Sequence, residues 1–140
     1  MAKSNRAVGN AFEQEFSELL YAYGFWVHRL TQDSAGQPAD VIAVRNKTAY
    51  LIDCKDCSAK GFDLRRVEEN QINAMQLWDE CGNGQGWFAL KVPGNVSDVS
   101  DIYMLPLFVV MAYKSRQSSL SFAEIRELGK SIDVWVKKCK

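Results

Sequence analysis

Two aspartates and a lysine are spaced so that a short β-hairpin would bring them together. Residues 41–44 and 49–52 predict two strands, and residues 46–47 between them have the length of a tight hairpin turn. In this register Asp40 lies directly opposite Asp53. Lys55 follows Asp53 by two residues, so it lies on the same face of the second strand.

Directly opposed carboxylates repel each other, because side chains paired across antiparallel strands have Cβ atoms roughly 5 Å apart. The pair can be held together if a divalent cation lies between the two groups. Two metal-binding carboxylates and one ammonium group on a single face form a phosphoryl-transfer site. In such a site the metal binds phosphate and activates water, and the ammonium group stabilises the charge that develops.

A further carboxylate comes from the predicted first helix, which spans residues 4–24. Glu13 and Glu15 lie on the two edges of its apolar stripe, and helical spacing does not choose between them. Gly9 lies one turn before Glu13 and would let a backbone or a phosphate approach that edge. A solvated charge is the ordinary alternative for either glutamate. The stripe consists of Val8, Phe12, Phe16, Leu19, Leu20 and Tyr23.

The rest of the chain alternates strands and helices, which predicts an α/β domain around a central mixed sheet. Residues 107–112 fit a strand or a short helix, and residues 132–136 fit an edge strand or a helical tail. The other predicted elements are strands at 25–30, 87–92 and 102–106, a polar loop at 31–37, and helices at 69–80 and 121–128.

A basic loop at residues 56–66 follows the predicted site. It carries Lys60, Arg65 and Arg66 around an aromatic residue. Such a segment beside a metal site can contact a phosphate backbone, and an ordinary solvated loop is the alternative.

The composition fits one globular domain spanning residues 1–140, with 47% hydrophobic and 24% charged residues. No apolar segment approaches the ~20 residues that span a membrane, and the polar N-terminus lacks a signal-peptide core. The expected location is therefore the cytoplasm.

The formal net charge of zero argues mildly against nucleic-acid binding, although the distribution of charge matters more than the total.

The four cysteines do not predict a zinc site. Cys54 and Cys57 have the spacing of a zinc or redox pair, but a structural zinc needs four ligands, usually in two close pairs. Cys81 and Cys139 are isolated, and His28 is the only histidine in the sequence. Reduced, structural thiols are the better interpretation.

The hairpin resembles the signature of the PD-(D/E)xK nuclease superfamily, with Pro38-Ala39-Asp40 followed after a spacer by Asp53-Cys54-Lys55. Further segments over residues 5–80, in the same order, are similar to Holliday-junction resolvases of the RecU type and the related archaeal Hjc type. These segments are Asn5-Arg6-x-x-Gly9-x-x-Phe12-Glu13, Gly36-x-Pro38-Ala39-Asp40, and Phe62-x-Leu64 followed by Glu69-Asn70-Gln71.

The resemblance implies a restriction-endonuclease-like core and a nuclease that uses Mg²⁺, with Mn²⁺ able to substitute. It selects Glu13 over Glu15, because the family's helix glutamate is a metal-site residue. Lys55 would orient the attacking water, and Gln71 would hold that water or a phosphate. The implied catalytic residues are Glu13, Asp40, Asp53, Lys55 and Gln71, and the implied metal ligands are Glu13, Asp40, Asp53 and the backbone carbonyl of Cys54. DNA contacts are expected from Arg6, Lys60, Arg65 and Arg66.

The implied substrate is branched DNA, namely a four-way junction cut by two symmetric nicks. A junction has approximate two-fold symmetry, and a two-fold dimer supplies two sites related in that way, so a homodimer is expected. Residues 105–113 and the strand residues Phe25 and Trp26 could form the interface or belong to the core. If the source is a phage, the compartment is the host cytoplasm.

The sequence also departs from the RecU pattern. Asp53 stands where many members have glutamate, Asn70 precedes Gln71 where RecU proteins often have histidine, and no insertion is long enough for the RecU stalk. These differences concern junction specificity more than nuclease chemistry. The alternatives are a PD-(D/E)xK nuclease for flaps, ends or a recognition sequence, a DNA-binding module without catalysis, and a structural domain in which the motif occurs by chance.

Overall fold

The computed structural model of the chain describes residues 5–30, 39–94 and 100–139. The predicted loop at 31–37, with Gly36, lies outside these residues, as does Pro38, and the side chains of Arg6 and Val8 are also outside the described part. In chain order the elements are α1 (Asn5–Ala22), β1 (Trp26–Arg29), β2 (Val41–Arg45), β3 (Thr48–Asp56), β4 (Phe62–Asp63), a 3₁₀ turn (Leu64–Arg66), α2 (Glu69–Trp78), a π turn (Asp79–Asn83), β5 (Trp87–Pro93), β6 (Ser100–Pro106), α3 (Leu107–Lys114), β7 (Ser119–Leu120), α4 (Phe122–Leu128), β8 (Lys130–Ser131) and α5 (Ile132–Lys138).

The main sheet is mixed, as the sequence predicts. Its strands lie in the order β1-β2-β3-β5-β6-β8. β3 and β5 run parallel, and the other neighbouring strands are antiparallel. β4 and β7 form a separate two-stranded ribbon. None of the helices in the described ranges is long and apolar enough to cross a bilayer.

The hairpin of β2 and β3 has the predicted register. Val41 pairs with Ile52, so the pairing continues towards Asp40 and Asp53 at the open end of the hairpin. Turn residues 46 and 47 both have positive φ angles, 52° and 67°. Positive φ at both central residues is what a type I′ turn requires, and this turn type matches the twist of the two strands.

Two hydrophobic clusters cover the two faces of the sheet, and the alternation along β3 assigns residues to them. Leu51 packs with the helices α2 and α3, whereas Ile52 packs with α1 and α5. The largest fully buried side chains are Phe12, Phe16, Phe62, Phe88, Leu20, Ile52, Leu64, Met75, Leu90, Met104, Leu105 and Leu120.

Several predicted elements differ from the observed ones. Tyr23 was assigned to the buried stripe, but it lies past the end of α1 and is 38% exposed. The segments at 107–112 and 132–136 are both helical. The helix predicted at 69–80 ends at Trp78, because the chain enters a π turn in which Gly82 has a φ of 93°. The loop at 56–66 contains β4 and the 3₁₀ turn, since Phe62 and Leu64 are buried in the core.

Candidate active site

The end of the β2–β3 hairpin holds two buried aspartates and a lysine. Asp40 is 6% exposed and Asp53 is 1% exposed. The Lys55 Nζ lies 3.0 Å from Asp53 Oδ2, as expected for two residues on one face of a strand. Asp40 precedes β2 directly, and its Oδ2 accepts a hydrogen bond from the backbone N–H of Cys54 across the hairpin (2.7 Å).

The structure brings Glu13 to this cluster, and not Glu15. The Glu13 side chain is 14% exposed, and its Oε2 lies 3.2 Å from Nη2 of Arg29. The carboxyl of Glu13 is also within hydrogen-bonding reach of Asp40. Glu15 instead pairs with Lys91 at 2.8 Å and is 46% exposed. Helical spacing alone does not choose between Glu13 and Glu15. The residues that α1 packs against place Glu13 at the cluster.

Gln71 contacts the cluster from the other side of the sheet, at the start of α2. Its Nε2 donates to Asp53 Oδ1 (3.1 Å), and its Oε1 accepts from the backbone N–H of Glu68 (3.2 Å). Both ends of the amide are thus engaged by the protein. That Gln71 holds a water or a phosphate stays a prediction.

Three carboxyl groups, those of Glu13, Asp40 and Asp53, lie close enough to perturb one another. Burial raises the pKa of Asp53 well above its usual value, Asp40 adds to this effect, and Lys55 opposes it. Burial and then Asp40 raise the pKa of Glu13 to about 7, and Arg29 opposes them. Keeping these carboxyl groups ionised therefore costs free energy. A cation bound among them would reduce that cost.

The donor set fits a hard divalent cation. Asp53 Oδ2 is buried, pairs with Lys55 Nζ at 3.0 Å, and belongs to a carboxylate within hydrogen-bonding reach of Asp40. Within the described ranges, no three acidic, histidine or cysteine side chains form an assembled metal cage. Carboxylate oxygens without a complete cage are typical of Mg²⁺, which is held by one or two carboxylates together with waters and substrate phosphates.

The thiol of Cys54 packs in the hydrophobic cluster on the α1 side, near the three carboxyl groups. Burial, and then the charges of Asp40, Asp53 and Glu13, raise its pKa well above the usual value, so it stays a protonated thiol. Only its backbone carbonyl, which the resemblance implies as a ligand, remains a candidate for metal binding. Cys57 and Cys139 are also buried and free, whereas Cys81 is exposed.

The predicted DNA-contacting residues differ in how far their charge is already neutralised. Arg65 forms an ion pair with Asp63 at 2.8 Å, and this arginine lowers the pKa of Asp63 to about 2. Arg66 donates to the backbone carbonyl of Asp56 (3.0 Å), which fixes the guanidinium beside the end of β3. Lys60 is exposed. The side chain of Arg6 lies outside the described residues.

Arg29 is a member of the site that is not predicted from the sequence. This residue ends β1, and its guanidinium reaches Glu13, which lies 16 positions earlier in the chain. The available signal was a basic residue at the end of a predicted strand that neighbours the hairpin. That signal is weak, because nothing in the sequence shows which carboxylate such a residue meets.

We expect Glu13→Gln to change how the stability of the metal-free protein depends on pH. A carboxyl whose pKa is raised from 4.5 to about 7 contributes stability that is fully present below pH 4.5 and is lost as the pH rises through 7. In EDTA, the wild type should therefore lose stability relative to Glu13→Gln between these pH values. Thermal unfolding from pH 4 to 8 measures this difference.

The matched control is Glu15→Gln, which removes a carboxylate of the same helix that lies outside the cluster and pairs with Lys91. It should leave the shape of the pH profile unchanged. Parallel pH profiles for the wild type and Glu13→Gln would show that Glu13 is not strained by its neighbours.

Comparison with solved structures shows that another protein has the same fold. Hjc of Archaeoglobus fulgidus, a Holliday junction resolvase from an archaeal hyperthermophile, superimposes with a TM-score of 0.66 and 16% sequence identity, over 91% of this chain and 99% of that chain. No curated protein sequence matches the chain. The family model described as archaeal Holliday junction resolvase (Hjc) matches residues 4–133.

This match extends from α1 through the β2–β3 hairpin to the start of α5, and so includes Glu13, Asp40, Asp53, Lys55 and Gln71. The superposition on the Archaeoglobus fulgidus protein covers 91% of this chain, which has a six-stranded mixed sheet with flanking helices. The chain belongs to the Hjc family of archaeal Holliday junction resolvases, which are nucleases.

Proposed function

We propose that this chain resolves four-way DNA junctions by paired symmetric nicks that require Mg²⁺, through the cluster of Glu13, Asp40, Asp53 and Lys55. The observation that carries the proposal is the pair of buried, opposed aspartates with an ammonium group 3.0 Å from one of them. A stable fold has no reason to bury like charges at one point unless a cation or a substrate uses them.

Asp40 and Asp53 would hold the metal, together with the backbone carbonyl of Cys54. Glu13 would bind it directly or through a water. Mg²⁺ held there supplies a Lewis acid, which polarises the scissile phosphate and lowers the pKa of a bound water. Mn²⁺ has similar ligand preferences and is expected to substitute.

Lys55 and Arg29 are two cations that pair with carboxylates of the cluster. Lys55 lies beside Asp53, where its ammonium group can orient the attacking water and stabilise charge on the phosphoryl oxygens. Arg29 is 40% exposed and holds the carboxylate of Glu13 from the outer edge of the sheet. We assign Arg29 the role of positioning Glu13.

The segment after β3 would guide the DNA backbone towards this cluster. Lys60 is exposed, and Arg66 is fixed to the end of β3 by its bond to Asp56. These two residues are better placed to contact phosphates than Arg65, whose charge is neutralised by Asp63. Arg6 is retained as a candidate from the sequence alone.

Removal of single site groups should abolish cleavage while the protein stays folded. We expect Asp40→Asn, Asp53→Asn and Lys55→Ala each to reduce the cleavage rate at least about a thousandfold, because each removes a charge that acts on the transition state. Much of the DNA binding should remain. The measurement is cleavage of a labelled four-way junction in Mg²⁺ and in EDTA, with Lys47→Ala as the control lysine at the far end of the hairpin.

The same assay separates the competing functions when a flap and a linear duplex are included. Paired symmetric nicks in the junction alone, in Mg²⁺ only, are the expected result. Cutting of flaps or duplexes would retain the active site and reject junction specificity. Binding without cutting in any divalent metal would indicate a DNA-binding module, and full activity of a site variant would contradict the assignment of that residue.

We further propose that the protein acts as a homodimer through the α2–α3 side of the sheet. Trp26 alternates on β1 with Val27, which packs on the α1 side, so Trp26 faces the opposite side. Trp26, Leu77 and Phe108 are 60%, 60% and 62% exposed, which is high for large apolar side chains. Phe25, Leu105 and most of α3 belong instead to the core.

Leu77→Asp should convert the dimer to a monomer, because it places a charge among the exposed apolar side chains proposed to form the interface. Tyr21→Asp is the matched control, since Tyr21 is 74% exposed but lies on α1, on the other side of the sheet. Sedimentation equilibrium of both variants tests the assignment. A monomeric wild type, or a dimer that Leu77→Asp leaves intact, would contradict it.

A further inference from the structure

Each of the two opposed aspartates has one carboxylate oxygen held by an N–H group of the protein. The backbone N–H of Cys54 donates to Asp40 Oδ2 (2.7 Å), and the Gln71 amide donates to Asp53 Oδ1 (3.1 Å). The first donor belongs to the sheet and cannot be altered by substitution. The second is a side chain, and it determines which oxygen of Asp53 remains for other partners.

The orientation of the Gln71 amide follows from its neighbours. A backbone N–H can only donate, so the oxygen of the amide must face Glu68, whose N–H lies 3.2 Å away. The NH₂ group must then face Asp53. Gln71 is 6% exposed and belongs to the capping box that begins α2, so the start of that helix holds the amide in place.

Oδ2 of Asp53 is the oxygen that this arrangement leaves. It is buried and forms an ion pair with Lys55 Nζ, which lies 3.0 Å away at the end of a flexible side chain. The bond from Gln71 fixes the carboxylate with Oδ1 towards α2 and Oδ2 towards Lys55, so a metal held by the cluster would meet Oδ2 first. Bidentate binding would require Asp53 to rotate or to share Oδ1 between the metal and Gln71.

We propose that Gln71 is a positioning residue that restricts Asp53 to one-oxygen coordination and thereby favours Mg²⁺ over Ca²⁺. The inference rests on the proposed metal site. Mg²⁺ requires a compact octahedron and is usually bound through single carboxylate oxygens, whereas Ca²⁺ accepts bidentate carboxylates and a larger number of ligands. A neutral donor on Oδ1 thus selects the smaller ion without adding charge to the cluster.

The test is to compare the Mg²⁺ and Ca²⁺ affinities of the wild type and Gln71→Met in the absence of DNA. Methionine has a similar length and volume but no donor, so Oδ1 becomes available to the metal. We expect the ratio of Mg²⁺ affinity to Ca²⁺ affinity to fall about tenfold, the usual size of an effect from a residue behind a metal ligand. Displacement of bound Mn²⁺ by each ion, followed by electron paramagnetic resonance, measures the ratio directly.

Two further variants separate this role from support of the helix. Gln71→Leu also removes the donor to Asp53 without adding a carboxylate, so it should also lower the ratio even if Gln71→Met folds poorly. Glu68→Ala removes the other side chain of the capping box and leaves the bond to Asp53. It should lower the unfolding temperature and keep the affinity ratio of the wild type.

The inference is overturned if both Gln71 variants keep the wild-type ratio, or if Glu68→Ala lowers the ratio as much as they do. Equal weakening of Mg²⁺ and Ca²⁺ in the Gln71 variants would also overturn it, because it would show general support of the site without selectivity. A wild-type protein that binds no divalent cation would reject the proposed metal site itself, and this inference with it.

Discussion

The opposition of Asp40 and Asp53 at the open end of one hairpin is the constraint on which the rest of the site depends. The turn at residues 46–47, at the far end of the hairpin, sets the register that places them together. A slip of one residue would turn Asp53 and Lys55 to the other face of the sheet. Local turn geometry thus decides whether the chain has this cluster at all.

Two helices complete the cluster from opposite faces of the sheet. α1 brings Glu13 to Asp40, with Arg29 as a counter-charge, and α2 brings Gln71 to Asp53. Both helices are held by the hydrophobic clusters of the two faces, so the packing free energy of the core supports carboxyl groups that repel one another. Such a site lowers stability in return for function, as is common in enzymes.

The parts of the structure that depend on neighbouring residues in the chain could be predicted from the sequence. The hairpin register follows from a two-residue turn, and α4 begins at Phe122 because Ser121 and Glu124 form a capping box at its N-terminus. The apolar run at 107–112 could not be assigned, since short buried strands and helices have the same pattern. It became α3 because its apolar residues pack under the sheet.

The parts that depend on distant contacts could not be predicted from spacing alone. Glu13 and Glu15 lie on equivalent edges of α1, and only their partners, Arg29 and Lys91, distinguish them. The same holds for Gln71, whose amide is oriented by a backbone N–H and by a carboxylate from another element. In each case the sequence supplies the residue type, and the tertiary structure supplies its partner.

The central claim is that the carboxylates of Asp40 and Asp53 hold a divalent cation. The most direct measurement is the anomalous scattering of crystals soaked in Mn²⁺, an ion with many electrons and ligand preferences close to those of Mg²⁺. We predict a peak between the two carboxylates, bound through Oδ2 of Asp53 and absent from Asp53→Asn. Crystals without a peak there, or with Mn²⁺ bound only at other carboxylates, would contradict the account.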